Sequence, residues 1–149
     1  MFKNILLAND GEDHSRKAID ACLEIAGRFQ ARVTVIHVLD PYLKQFYNEI
    51  YAQGRKEYLE HVDYCLKIHS DSLEKDMEHL FKKNSISFSF IRRYGDPETE
   101  ILAEAKKRHY DLLIMGGKIL TGLQRFTSWN LPTKIETACR CLPVMICRQ

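Results

Sequence analysis

Residues Asp111 to Asn130 read DLLIMGGKILTGLQRFTSWN. One aspartate opens an apolar run, Leu112 to Met115, which meets Gly116 and Gly117, then Lys118, and a further glycine at Gly122. An apolar run that stops at glycines reads as a buried strand entering a tight loop. Without a Cβ in the way, the N–H groups of such a loop come close to a ligand. Glycine loops after parallel strands are where α/β folds bind phosphate. The reading therefore turns on whether the rest of the chain builds a parallel sheet around this loop.

Downstream, Pro132 to Cys139 predicts a helix, and LPVMICR, Leu142 to Arg148, a final strand. Upstream, Glu98 to Arg108 predicts a helix with Ile101, Leu102 and Ala105 inward, opened by Pro97 in its first turn. Before it, ISFSFIRR, Ile86 to Arg93, alternates apolar and polar residues at strand period. At the start of the chain the apolar run Phe2 to Ala8 reads as a buried strand, closed by the turn signal Asn9-Asp10-Gly11. Glu12 to Ser15 suit a helix start, and Ala18, Cys22, Ile25, Ala26 and Phe29 recur at helical spacing. Arg32 to Asp40, RVTVIHVLD, is rich in β-branched residues and predicts a second strand. A long amphipathic helix spans Lys56 to Lys83, with Leu59, Val62, Leu66, His69, Leu73, Met77 and Leu80 on its inner face. Residues 42 to 55 are aromatic and irregular and predict no element.

Five strands alternating with four helices make an α/β fold: an open, doubly wound, Rossmann-like parallel sheet, expected in the order 3-2-1-4-5 with helices on both faces. In that order the first and fourth strands flank the ligand crevice, so Asn9-Asp10-Gly11 and Gly116-Gly117 converge there. The 149 residues are read as one domain, long enough for a sizeable core. A net charge of +2 is too balanced to predict nucleic acid as the main partner. No apolar run approaches a membrane span, and the N-terminus meets acidic residues too soon for a signal peptide. Five irregularly spaced cysteines predict reduced thiols in a cytoplasm, not a disulfide framework.

With these pieces in order, the chain resembles the universal stress protein family. The resemblance rests on NILLANDGEDHS, VTVIHVLDP, YGDPETEIL, DLLIMGG and LPVMICR, and covers nearly the whole length. It implies the five-stranded sheet inferred above, of the adenine nucleotide alpha hydrolase-like kind, and a homodimer paired through the last strand. In one branch of the family ATP is held by an aspartate after the first strand, backbone near the end of the second, and a loop of pattern G-x-x-G-(nine residues)-G-[ST]. Here the aspartate matches Asp10, the second-strand position Val38 and the first glycine Gly116. The second glycine falls on Ile119 and the third on Trp129, with Asn130 in the serine or threonine place and Gly122 as an extra loop glycine. The candidate binding set is Ala8, Asn9, Asp10, Val38, Met115, Gly116, Gly117, Lys118, Gly122 and Asn130, for ATP with magnesium, or AMP, if any cofactor binds.

The departures have physical weight. A β-branched residue is among the worst choices for a positive φ, so Ile119 predicts a different loop path. An indole at Trp129 fills space where bare backbone would meet phosphate. Asn130 can still cap the last helix, and Lys118 can supply phosphate charge. Asp10 has two readings, a ribose or adenine acceptor or a turn-forming aspartate. His14 reads as a solvated residue at a helix start and His37 as a satisfied buried histidine. Cys139 and Cys141 could bind metal or sense oxidants, but they lack a second cysteine pair and the two-residue spacing of redox motifs, so they read as small buried hydrophobes at the end of a helix. The cluster Tyr42, Phe46, Tyr47 and Tyr51 reads as a lid, loop packing or partner surface. No general base, Walker-type lysine loop, nucleophile elbow or zinc motif is present, so no catalytic or metal residue is assigned. The expected function is a cytoplasmic, homodimeric regulatory protein with unknown signalling partners and a degenerate adenine-nucleotide crevice. The alternative is an ATP-binding protein with slow hydrolysis or nucleotide sensing, and a flavin or adenine-nucleotide domain of a larger assembly is a weaker third.

Overall fold

The computed structural model describes residues 1–40, 55–107, 109–119 and 130–149. The aromatic cluster between 42 and 51, together with Gly122, Trp129, Arg108 and the Leu59 side chain, lies outside the described residues. Five strands form one parallel sheet: β1 Asn4–Ala8, β2 Arg32–Leu39, β3 Phe88–Tyr94, β4 Leu112–Gly117 and β5 Val144–Arg148. Their order is β3-β2-β1-β4-β5, as expected. Among the described residues four α-helices alternate with them: α1 Arg16–Phe29, α2 Arg55–Lys83, α3 Pro97–Ala105 and α4 Leu131–Ala138.

Strand alternation sorts the core into two layers. Ile5, Leu7, Val33, Val35, Leu112 and Ile114 face α1 and α2, meeting Ala18, Cys22, Met77 and Phe81. Leu6, Ala8, Ile36, Leu113 and Met115 face α3 and α4, meeting Ile101, Ala105 and Ile135. β1 from Ile5 onward and the whole of β4 are buried and carry no polar side chain, because both faces are covered. The lone aspartate ahead of β4 ties two strands together: Asp111 Oδ2 accepts from Lys3 N at 2.7 Å and Asn4 N at 2.8 Å.

Local chemistry sets the helix ends. Asp96 caps α3, accepting from Thr99 N at 2.9 Å and Thr99 Oγ1 at 2.7 Å, with Pro97 in the first turn. Those bonds lower the Asp96 carboxyl below its ordinary value. α1 ends on Gln30 in the left-handed conformation, φ 52°. No helix among the described residues is long and apolar enough to cross a membrane.

Two expectations need correction. The inner face of α2 runs through Val62, Leu66, Ser70, Leu73, Met77 and Phe81, so Ser70 and Phe81 are fully buried while His69 is exposed and Leu80 only partly buried. Val62, Leu66, Leu73 and Met77 keep the expected face; Ser70 replaces His69, and Phe81, stacked on Phe88 with ring centroids 5.0 Å apart, replaces Leu80. Second, Gly116 and Gly117 are not loop residues. They end β4, buried and in register with Cys147 and Arg148.

One buried charge network was invisible in the sequence. Glu104 on α3 is 2% exposed; it accepts from Tyr110 Oη at 2.7 Å and Arg93 Nη2 at 3.0 Å, and pairs with Lys107 Nζ at 2.5 Å. Burial pushes the Glu104 carboxyl up, but these donors and the Lys107 charge outweigh it and leave it below the ordinary glutamate value. Burial and the Glu104 carboxylate push the Tyr110 phenol up to about 12.

Candidate functional site

The turn after β1 is built by its own side chains. Asn9 Oδ1 accepts from Gly11 N at 2.9 Å, and Asp10 Oδ1 accepts from Glu12 N at 3.0 Å, two successive Asx turns. Gly11 sits at φ 82°, where a side chain is strained, and a Cβ there would lie 2.7 Å from His69 Nε2. Ser15 Oγ donates to Asp10 Oδ1 at 2.8 Å, and His14 Nε2 lies 3.1 Å from Asp10 Oδ2. Asp10 therefore serves the turn, yet its side chain stays 53% exposed and can still accept from a ligand hydroxyl.

Two histidines lock the turn to the sheet and to α2. His37 Nδ1 donates to the Asn9 carbonyl at 2.9 Å, and His69 Nε2 donates to the Asp10 carbonyl at 3.0 Å. The acceptors are carbonyls, so those ring nitrogens carry the protons. His37 is buried, as expected, and burial pulls its pKa below the ordinary histidine value. The Asn9 carbonyl and Asp10 oppose that shift, and the neighbouring His69 and Arg92 add to it. Asn9 Nδ2 reaches Met77 Sδ at 3.3 Å, so this buried side chain is committed to the scaffold.

The end of β4 lies beside this turn, with Ala8 in register with Met115 on one side and Ile36 on the other. A Cβ on Gly116 would stand 2.4 Å from the His14 carbonyl oxygen and 2.7 Å from Ser15 Cα. The absent side chain is thus required by the 3-10 turn Asp13–Ser15, which packs directly on the strand. Beyond Gly117, Lys118 is exposed and its carbonyl accepts from Arg148 Nη1 at 3.2 Å. Ile119 N donates to the Gln149 carbonyl at 3.1 Å, and Ile119 is not at positive φ. The path there follows the C-terminal strand. Asn130 caps α4, its Oδ1 accepting from Thr133 N at 3.4 Å, as expected.

The carboxyl ends of β1, β2 and β4 thus gather Ala8, Asn9, Asp10, Val38, Met115, Gly116 and Gly117. Pro132, two residues after the Asn130 cap, brings α4 within 3.3 Å of the Gly117 Cβ position. A model of the universal stress protein family matches residues 1–148. The chain belongs to the universal stress protein family. It is 29% identical to universal stress protein YxiE of Bacillus subtilis (strain 168), over 99% of this chain and 100% of that one. Universal stress protein UspA from Lactobacillus plantarum shares the fold at TM-score 0.73 and 18% identity, over 99% and 98% of the two chains. A universal stress protein family protein from Arabidopsis thaliana, solved with AMP bound, shares it at TM-score 0.66 and 17% identity, over 99% and 92%.

Sequence reasoning missed two residues at this end of the universal stress protein's sheet and misread a cysteine pair. His69, assigned to the core, anchors the Asp10 carbonyl. Arg148, read only as strand, bridges the Lys118 carbonyl and Thr133 Oγ1 of α4, at 3.2 and 3.4 Å. Its place beside Gly117 is set by the β4–β5 register, which no local sequence pattern marks. Cys139 and Cys141, expected to be buried, are half-buried and exposed, with Sγ atoms 3.7 Å apart.

Proposed function

We propose that this universal stress protein is a regulatory binding module whose crevice takes the adenosine part of an adenine nucleotide without a triphosphate-binding loop of the family's usual kind. The observation that carries this reading is Gly116. The space its missing Cβ leaves is taken by the His14–Ser15 backbone, so the first motif glycine serves internal packing. Ile119 points the same way, its N–H being committed to Gln149. Asp10, half exposed just past β1, is the acceptor for a ribose hydroxyl, with Val38 near the end of β2, Met115 paired with Ala8, and Lys118 as an exposed cation. The Arabidopsis relative with AMP supports an adenine nucleotide as the ligand class.

In this reading the protein acts as a cytoplasmic homodimer with protein signalling partners. The five free thiols support a reducing compartment. The edge strand β5 supports pairing. Pro143 O and Gln149 N bond toward β4, so strand alternation turns the backbone groups of Val144, Ile146 and Arg148 to the open edge. The competing reading, slow ATP hydrolysis with magnesium, draws on the Asp10–His14 acid–base pair.

The test is what the protein carries. Protein purified without added nucleotide is denatured and its supernatant run on anion exchange, and melting is followed with AMP and with ATP plus magnesium. The reading expects a melting shift with AMP at least as large as with ATP, lost in Asp10→Ala. Stoichiometric co-purified ATP, or ATP turnover abolished by Asp10→Ala, would overturn it.

A further inference from the structure

Away from the crevice, Cys139 closes α4 and Cys141 follows in the bend that leads to β5. Their sulfurs are in van der Waals contact at 3.7 Å, so the two side chains face each other. Cys139 is half-buried with Sγ 3.8 Å from the Leu142 carbonyl; Cys141 is exposed with Sγ 3.6 Å from the Ala105 carbonyl. Both line an open cleft of about 600 Å³ with Leu102, Lys106, Tyr110 and Arg140. The other thiols are differently placed. Cys22 is buried, its pKa pushed up to about 12 chiefly by burial; Cys147 packs on the core; Cys65 lies 3.7 Å from His61 Nε2.

We propose that Cys139 and Cys141 form a reversible dithiol–disulfide site whose substrate is a small anionic disulfide. A protein disulfide needs an S–S distance of about 2.05 Å, so the sulfurs must close by roughly 1.7 Å. The backbone can follow, because Cys139 has left the helix (φ −78°, ψ 105°) and Cys141 lies in an irregular bend. Lys106 and Arg140 put two cations on the cleft and select for an anionic partner.

The exchange balances in two steps. The exposed Cys141 thiolate attacks one sulfur of the small disulfide. A bond forms from Cys141 to that sulfur, the substrate S–S bond breaks, and one small thiolate leaves. The Cys139 thiolate then attacks Cys141 Sγ, the mixed S–S bond breaks, and the second small thiolate leaves. The protein dithiol loses two electrons, the small disulfide gains two, and the protons of the protein thiols pass through solvent to the released thiolates. Burial and the neighbouring Cys139 hold the Cys141 thiol above its ordinary value while Lys106 pulls it back, so the first step accelerates as pH rises above neutrality.

The experiment equilibrates the full chain with graded mixtures of reduced and oxidised glutathione. Acid quenching, maleimide alkylation and peptide mass mapping follow. The expected product has lost two alkylatable thiols, mapped to Cys139 and Cys141, carries no glutathione, and reverts with dithiothreitol. Cys139→Ser, with melting unchanged, stops at a glutathione adduct on Cys141. Cationic cystamine reacts about tenfold more slowly than oxidised glutathione at low salt, and the gap narrows as salt is added. Five alkylatable thiols in excess oxidised glutathione would overturn the proposal. So would a wild-type protein that stops at the mixed disulfide, or bonding through Cys65 or Cys147. Faster reaction with cystamine would overturn the anionic substrate class.

Discussion

Glu104→Gln tests the buried charge network that joins α3 to the sheet. Glutamine keeps the size of the side chain and one acceptor, but loses the charge and one oxygen. In the folded protein Oε1 takes the Tyr110 hydroxyl and Oε2 takes Arg93 and Lys107. A hydrogen bond to a charged group contributes roughly 1.5–3 kcal/mol, against roughly 0.5–1.5 for a neutral one. Arg93 and Lys107 side chains are 37% and 47% exposed and recover water when the charge goes, which cuts the loss. The expected cost is about 1.5 kcal/mol, or roughly 3–6 °C in Tm for a chain of this size. Glu104→Ala also strands the buried Tyr110 hydroxyl and leaves a void, and is expected to cost about 3 kcal/mol. Urea denaturation from pH 3.5 to 8 reads both magnitude and sign. The folded Glu104 carboxyl lies below its unfolded value of about 4.3, so its stabilisation is complete above that pH and is lost as pH falls through the folded value. The gap between wild type and Glu104→Gln should be flat from pH 6 to 8 and close in acid. A variant within 0.5 kcal/mol of wild type at pH 7, or a gap that widens on acidification, would refute the reasoning.

Gly116→Ala must displace the His14–Ser15 backbone and should cost about 2–3 kcal/mol, whereas Gly117→Ala meets side-chain atoms of Ile146, Pro132 and Arg148 at 3.1–3.4 Å and should cost under about 1 kcal/mol; equal melting temperatures would show that the turn does not need the glycine. His37 has its pKa lowered, chiefly by burial, so the stability it contributes is complete above its unfolded pKa of about 6.5 and drains as pH falls below that. Wild type should therefore lose more stability between pH 7.5 and 5.5 than His37→Asn, and parallel pH curves would count against the burial argument. Val144→Pro removes an N–H that faces the open edge, so light scattering should report monomer while the melting temperature holds; a persistent dimer would place the interface elsewhere.

The fold was legible because its signals are local and periodic. Leu112–Met115 and Ile5–Ala8 are covered on both faces and so read as unbroken apolar runs, while Ala18, Cys22 and Ala26 mark the inner side of α1 at helical spacing. The strand order followed from alternating strands and helices and was met in the structure. Part of the candidate site was legible for the same reason: Asn9-Asp10-Gly11 is a turn by its own side-chain chemistry, and Asn130 is a helix cap by type.

What the sequence by itself determined was the element order, the two-faced core and the end of the sheet where the conspicuous residues collect, since period and turn chemistry act over a few residues. Tertiary structure alone decided what those residues meet. Gly116 reads as a loop glycine until the His14 carbonyl is found 2.4 Å from where its Cβ would be. His69 reads as a core position until α2 meets the sheet and turns it onto the Asp10 carbonyl. Glu104, Arg93 and Tyr110 share a network only because α3 seats on the sheet so that Glu104 reaches Arg93 of β3 and Tyr110 just ahead of β4. The first two contacts join residues far apart in the chain, and the third joins residues on separate elements. Their distances are set by how helices seat on a twisted sheet, and local periodicity carries no term for that.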